Sequence, residues 1–277
     1  MMELNQIYCG ECSELMKRIP DESVHMVLTS PPYSGLRKYN GYVFDFEAIA
    51  EQIKRVLVPG GVVVWVVGDQ TTKDGECGTS FRQALHFQKI GFNIHDTMIY
   101  KKNAIPYPDT KRYYACFEYM FVFSKGGEPR VFNPLIDRRN KHANMKVSGT
   151  ERKPDGSLKE KPCKKRGAKI KEFGFRWNVW EFNVGVVNYG DASLAAHPAT
   201  FPMSLAKDHI VSWSNPGDTI LDPMAGSGTT PYMAKLTGRN FIAMDISQEY
   251  VDMMKYRLDH NQYKDEHGIV HKRKSLW

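Results

Sequence analysis

The sequence predicts an α/β protein built on a mainly parallel sheet. Three observations carry that reading: apolar, β-branched runs alternate with stretches of helical period, a glycine loop joins one such run to a helix, and the run after that ends in an acid. Val24–Thr29 reads as a buried strand. Phe46–Leu57 gathers Phe46, Ile49, Ile53, Val56 and Leu57 on one face and reads as a helix, which Pro59-Gly60-Gly61 stops. Val62–Val67 is the next strand and Thr79–Ile90 a helix. Ile94–Lys101 and Glu118–Ser124 read as strands able to pair antiparallel. Further on, Met203–Trp213 reads as a helix, Thr219–Asp222 as a strand, Thr229–Leu236 as a helix, Asn240–Asp245 as a strand and Gln248 to about Asp259 as a helix.

At 277 residues, with 42% hydrophobic and 25% charged side chains, the chain can bury a large core, which excludes a wholly disordered or fibrous protein. Its formal charge of +7 suits an anionic partner. That charge is concentrated. Residues 125–176 hold 16 basic and 6 acidic side chains, a net +10, and leave −3 for the remainder. Glycine, proline and lysine replace periodicity there, so the segment reads either as a solvated loop or as one that lies against phosphates. Cys9, Cys12, Cys77, Cys116 and Cys163 are too scattered for a disulfide framework, and Cys9-Gly10-Glu11-Cys12 has no second metal-ligand pair, so reduced thiols and no metal are expected. The first residues lack a signal pattern and Val62–Val67 is too short to span a bilayer, so the expected compartment is the cytoplasm, with no membrane partner.

Two loops carry chemistry. Thr29-Ser30-Pro31-Pro32-Tyr33 follows a buried strand, at the strand end where open α/β sheets bind ligands. Its two prolines remove amide donors and stiffen the turn, which presents carbonyl oxygens and the Ser30 hydroxyl. Tyr33 adds a flat face for a nucleobase. Such a loop suits methylation of an exocyclic amine, whose delocalised lone pair must be localised by acceptors gripping its hydrogens. The same residues could also form an ordinary proline turn with a packed tyrosine.

The second loop is Asp222-Pro223-Met224-Ala225-Gly226-Ser227-Gly228-Thr229-Thr230. Gly226 and Gly228 allow a ligand to approach backbone at a helix N-terminus. The third glycine of a dinucleotide fingerprint would fall at Pro231, and no lysine follows Gly228 as in a phosphate loop. Asp245, about twenty residues on, is placed to accept from ribose hydroxyls. A nucleoside without phosphate, such as S-adenosylmethionine, meets these terms.

At these residues the chain resembles the DNA amino-methyltransferases that act on N4 of cytosine or N6 of adenine. Ser30-Pro31-Pro32-Tyr33 matches their [DNS]-P-P-[YF] motif, and Asp222–Thr230 matches D-P-F-x-G-S-G-T-T with Met224 in place of phenylalanine. His197-Pro198-Ala199-Thr200-Phe201-Pro202 is similar to their H-P-[TA]-x-[KF]-P element. The order of motifs is that of the β group, which implies a circularly permuted, Rossmann-like S-adenosylmethionine-dependent methyltransferase fold. The resemblance implies a catalytic half at 1–124, a basic inserted target-recognition region at 125–176 and a cofactor-binding half at 177–277.

It also implies roles. Ser30, Pro31, Pro32 and Tyr33 would hold a flipped base. Asp222, Pro223, Ala225, Gly226, Gly228 and Thr229 would line the methyl donor, Asp245 would take its ribose, and His197, Pro198 and Phe201 would close over it, a packed residue capping a turn being the alternative for His197. Arg138, Arg139, Lys164, Lys165 and Arg166 would meet duplex DNA, while Trp177 and Trp180 would anchor the return to the core, with base stacking as the alternative. Serine at position 30, with Ala199 and Phe201, favours cytosine N4, and adenine N6 is the alternative. A homodimer and a cognate restriction nuclease stay open as partners. RNA or protein methylation, a non-catalytic DNA-binding module and a nicotinamide dehydrogenase are the remaining rivals.

Overall fold

The structure, a computed structural model, describes residues 2–32, 44–104, 110–161, 167–183 and 202–259, with the backbone of 262–264 and 270–272. In chain order the elements are β1 (Gln6–Cys9), α1 (Cys12–Met16), β2 (Val24–Thr29), α2 (Phe46–Val56), β3 (Leu57–Val67), α3 (Thr79–Lys89), β4 (Phe92–Lys102) and β5 (Phe117–Lys125). Next come β6 (Arg138–Arg139), β7 (Thr150–Arg152), β8 (Leu158–Glu160), β9 (Phe173–Gly174) and β10 (Val179–Phe182). The chain then forms α4 (Met203–Trp213), β11 (Thr219–Asp222), α5 (Thr229–Leu236), β12 (Asn240–Asp245), α6 (Gln248–Asp259) and the hairpin β13 (Gln262–Lys264) and β14 (Val270–Lys272).

Eight strands form one sheet in the order β1-β12-β11-β2-β3-β5-β4-β10. All neighbours run parallel except β5, which is antiparallel to both β3 and β4. The expected mostly parallel α/β sheet is therefore present, and its antiparallel member is one of the two strands flagged for such pairing. Successive residues of β2 and β3 face opposite sides and both sides are buried, which is why these strands read as continuous apolar runs. On one side Val27, Val63 and Trp65 join Ile49, Ile53 and Phe87 of α2 and α3 in a single core. Trp65 packs edge-on to Phe87 at 5.2 Å and donates its Nε1 hydrogen to Gln83 Oε1 at 2.9 Å, so the largest ring in this core has its polar atom satisfied.

One predicted boundary moves. Helix α2 ends at Val56, and β3 begins at Leu57, running through Pro59-Gly60-Gly61 rather than after it. Leu57 pairs with Val24 and Val62 with Met26, so one residue of β2 faces four of β3 in a bulge. Gly60 has φ +70 there, a conformation only glycine adopts without strain.

Two compact units emerge: 1–133 with 178–277, and 134–177. Lys125–Asn133 belongs to the first unit, because Arg130 N donates to Gly60 O at 2.8 Å and Asn133 N to Ser212 O at 2.8 Å. The second unit carries two antiparallel pairs, β6 with β9 and the hairpin β7 with β8. Backbone bonds from Asn140 to Glu172, Asn144 to Ile170 and Val147 to Ala168 make the first pair part of a long two-stranded ribbon. A segment with no hydrophobic period is thus built on main-chain pairing. Trp177 corrects one expectation: it is exposed, with the Arg138 guanidinium 5.0 Å from its ring centroid. Trp180 is buried, stacked on His209 at 4.5 Å.

Candidate active site

Strands β2 and β11 are neighbours, with Ile220 opposite Met26 and Leu221 opposite Val27. From β2 the chain crosses through α2 to β3 on one side, and from β11 it crosses through α5 to β12 on the other. This is a topological switch point, where diverging crossovers open a crevice outside the carboxyl ends of the strands. Both chemistry-bearing loops leave from those two ends.

A buried hydrogen bond ties them together. Thr29 Oγ1 donates to Asp222 Oδ1 at 2.7 Å. Met224 N donates to the same oxygen at 3.2 Å, and Thr230 reaches back to Leu28 O at 3.3 Å. Asp222 is 2% exposed. Burial pushes its carboxyl up to about 6 even though the Thr29, Thr230 and Met224 donors oppose the shift. Ser30 is half-buried, Pro31 buried and Pro32 half-buried. Tyr33 lies outside the described residues, as do His197, Pro198, Phe201, Lys164, Lys165 and Arg166.

The glycine loop is held from three directions. Ala225 N donates to Met244 O and Gly228 N to Ala225 O, both at 2.8 Å. Gly226 N donates to Asp245 Oδ2 at 2.8 Å, and Ser247 N to Asp245 Oδ1 at 2.9 Å. Burial raises the Asp245 carboxyl while these amides pull it back. Gly226 and Gly228 have φ of +50 and +75, and a Cβ on Gly228 would stand 2.6 Å from Met254 Cγ. Glycine at 228 is thus required by both backbone and packing. Pro223, Ala225 and Thr229 are buried in the same loop.

Sequence reasoning overlooked two of these supports. Thr29 sits directly before the proline loop, and nothing local reveals a partner in β11. Arg257 is a buried cation on α6, donating to Ser227 O at 2.9 Å and Thr229 Oγ1 at 3.1 Å beneath the loop. Its signal was available: Val251, Met254 and Leu258 make the buried face of α6, and Arg257 interrupts it.

The groups gathered here suit a nucleoside bearing a cation better than a phosphate. Asp222 and Asp245 are both acids, and the described cation against the loop, Arg257, is engaged with Ser227 and Thr229. Each Asp245 oxygen takes one amide and keeps a further acceptor site for a sugar hydroxyl. Among the described residues no group of three or more metal-ligating side chains is present, and burial with the Glu11 charge raises the Cys12 thiol.

The family model of the N6/N4 DNA methylases matches residues 24–256, which span both loops. The chain belongs to that family. Among relatives of this DNA methylase, the orphan methyltransferase M.BamHII of Bacillus amyloliquefaciens is 49% identical over 262 residues, covering 94% of this chain and 95% of its own. The DNA adenine methyltransferase YhdJ of Escherichia coli is 28% identical, covering 93% and 83%. The solved structure of TTHA0409 from Thermus thermophilus, complexed with S-adenosyl-L-methionine, superposes with a TM-score of 0.62 at 25% identity, covering 91% of this chain and 92% of its own. The methylase has no helix, among the described residues, long and apolar enough to cross a membrane.

Proposed function

We propose that this DNA methylase transfers a methyl group from S-adenosylmethionine to the N4 amine of cytosine in duplex DNA, after turning the base out of the helix. The observation that carries the reading is the Thr29–Asp222 hydrogen bond at the switch point, which holds the acceptor loop beside the glycine loop. When bound, S-adenosylmethionine supplies an electrophilic methyl group on sulfur.

The remaining work falls to the chain. Ser30 Oγ and the Pro31 carbonyl accept the two amine hydrogens and draw the nitrogen lone pair out of conjugation. Tyr33 stacks on the extruded base, which offsets the few kcal/mol that flipping costs. Asp245 accepts from the ribose, and Gly226 and Gly228 let backbone approach the donor. His197, Pro198 and Phe201 close over it. Arg138, Arg139, Lys164, Lys165 and Arg166 of the basic segment track phosphates. The proton released from the amine leaves to solvent, so positioning supplies most of the acceleration.

Serine at position 30 supports cytosine, because at this place in the motif serine usually accompanies N4 of cytosine and aspartate more often N6 of adenine; N6 of adenine is the second reading, favoured by the relationship to the adenine enzyme YhdJ. The test is to incubate the protein with duplex DNA and S-adenosylmethionine, digest to nucleosides and weigh the product. N4-methylcytosine is expected. N6-methyladenine would move the assignment to the second reading, and unmodified DNA of varied sequence would overturn both.

A further inference from the structure

The connection between β4 and β5, of which residues 103–104 and 110–116 are described, leaves the sheet at the same end as the acceptor loop. Thr29 is level with Trp65 in β3, Val67 is level with Tyr119 in β5, and Tyr119 with Ile99 in β4. With strands about 4.8 Å apart, β5 lies roughly 10 Å and β4 roughly 14 Å from β2. That is the scale on which the duplex flanking an extruded nucleotide would rest.

Its chemistry is unlike the rest of this unit. Residues 101–114 hold four basic side chains against one acid, within a chain that is net acidic outside its insert; Lys101 pairs with Glu181 at 2.8 Å and Lys102 with Glu118, so a phosphate contact falls to Lys111 and Arg112. Tyr113 is fully exposed at 103%, and Tyr114 is 49% exposed. Below them Phe117 and Phe81 stay exposed while meeting Tyr119 edge-on at 5.4 Å each. Large aromatic faces in water beside lysine and arginine are the composition of a surface that stacks on bases while it neutralises phosphate. None of these residues was singled out by motif, and none belongs to the basic insert.

We propose that residues 111–114 form a second DNA contact, in which Tyr113 and Tyr114 stack on bases exposed next to the extruded nucleotide and Lys111 and Arg112 meet the adjoining phosphates. The inference rests on the reading of the chain as a DNA methyltransferase. It differs from that reading by naming an aromatic platform on the catalytic unit itself.

The experiment compares the wild-type protein with Tyr113→Ala/Tyr114→Ala and Lys111→Gln/Arg112→Gln, both changed at exposed positions. Binding is measured with labelled random-sequence duplexes, intact or carrying abasic sites, and with S-adenosylmethionine alone as a folding control. The tyrosine variant is expected to lose about tenfold in affinity for abasic duplex, and with it the preference for abasic over intact DNA, at unchanged salt slope. The lysine–arginine variant is expected to reduce the salt slope by about one to two units. Wild-type affinity and preference in the tyrosine variant would overturn the platform. A monomeric tyrosine variant of a dimeric wild type, with equal DNA affinity, would overturn it too and assign the patch to self-association. Failure of the wild-type protein to bind any duplex would instead sink the parent reading, and this one with it.

Discussion

The hydroxyl of Thr29 and the carboxylate of Asp222 meet at 2.7 Å although 193 residues separate them in the chain. Each belongs to the last residue of its strand, so the bond fixes how far the acceptor loop stands from the glycine loop. Thr29→Val keeps the shape and removes the donor, leaving a buried carboxylate short of a partner. A loss of about 1–3 kcal/mol in stability is expected. Misplacement of the two loops should also lower kcat between about ten- and a hundredfold. Thr29→Ser, which keeps the hydroxyl, should recover most of kcat. Turnover and denaturation measured on both variants check the pair, and equal kcat in valine and serine variants would remove the positioning role.

Burial also gives Asp222 a pH signature. Its folded-state value of about 6 stands above the 3.8 of the free group, so the folded protein holds this proton more tightly than the unfolded chain. The stability it contributes is therefore fully present below about pH 4 and is lost as pH rises towards 6. Asp222→Asn removes that loss, by up to about 3 kcal/mol at neutral pH. The variant should melt higher than the parent at pH 7 and alike at pH 4. It should also bind S-adenosylmethionine more weakly, as expected where a site is kept ionised at the expense of stability.

Gly228 couples the glycine loop to α6. Gly228→Ala adds a Cβ 2.6 Å from Met254 Cγ at φ +75, combining a clash with backbone strain. A destabilisation of about 1–3 kcal/mol is expected. Met254→Ala opens space without altering the backbone, so the double variant should be relieved of the clash and keep the strain. Urea unfolding of the two single variants and the double gives the coupling directly, and strict additivity would contradict the contact.

The elements that position this site were legible because their causes are local. β2, β11, β12 and the helix that follows each glycine or acid carry apolar runs and punctuation within a few residues. β1 was not legible: Gln6–Cys9 is short and buries neither face fully, gaining its place by pairing with β12. The ribbon of 138–147 against 168–174 escaped notice because main-chain bonds, not an apolar face, hold it. Thr29 and Arg257 were missed for a related reason, since their partners are set by topology, and a side chain's type says little about a contact made across the sheet.

Ser30 tests the chemistry apart from the scaffold. Under the proposed mechanism, removing its hydroxyl takes one acceptor from the amine and leaves the donor's contacts in place. Ser30→Ala should therefore lower kcat by about a hundredfold with little change in S-adenosylmethionine affinity. Single-turnover methylation and calorimetric titration separate the two, and parallel losses in both would place Ser30 in cofactor binding instead.

The insert makes a claim about salt. A segment of net +10 beside a remainder of −3 should carry the larger share of the electrostatic part of DNA binding. Each phosphate contact adds about −0.9 to the slope of log affinity against log salt. Replacing Lys164, Lys165 and Arg166 by glutamine should therefore flatten the slope by up to about 2.7 and weaken binding alike for all sequences. Arg138 behaves differently, since its guanidinium lies over Trp177 and donates to Phe175 O at 2.9 Å. Arg138→Gln should loosen the ribbon as well as lower the charge, so its loss should include a salt-independent part. Titrations at several salt concentrations distinguish the two behaviours, and a slope untouched by the triple substitution would assign the insert's charge to solvent rather than to DNA.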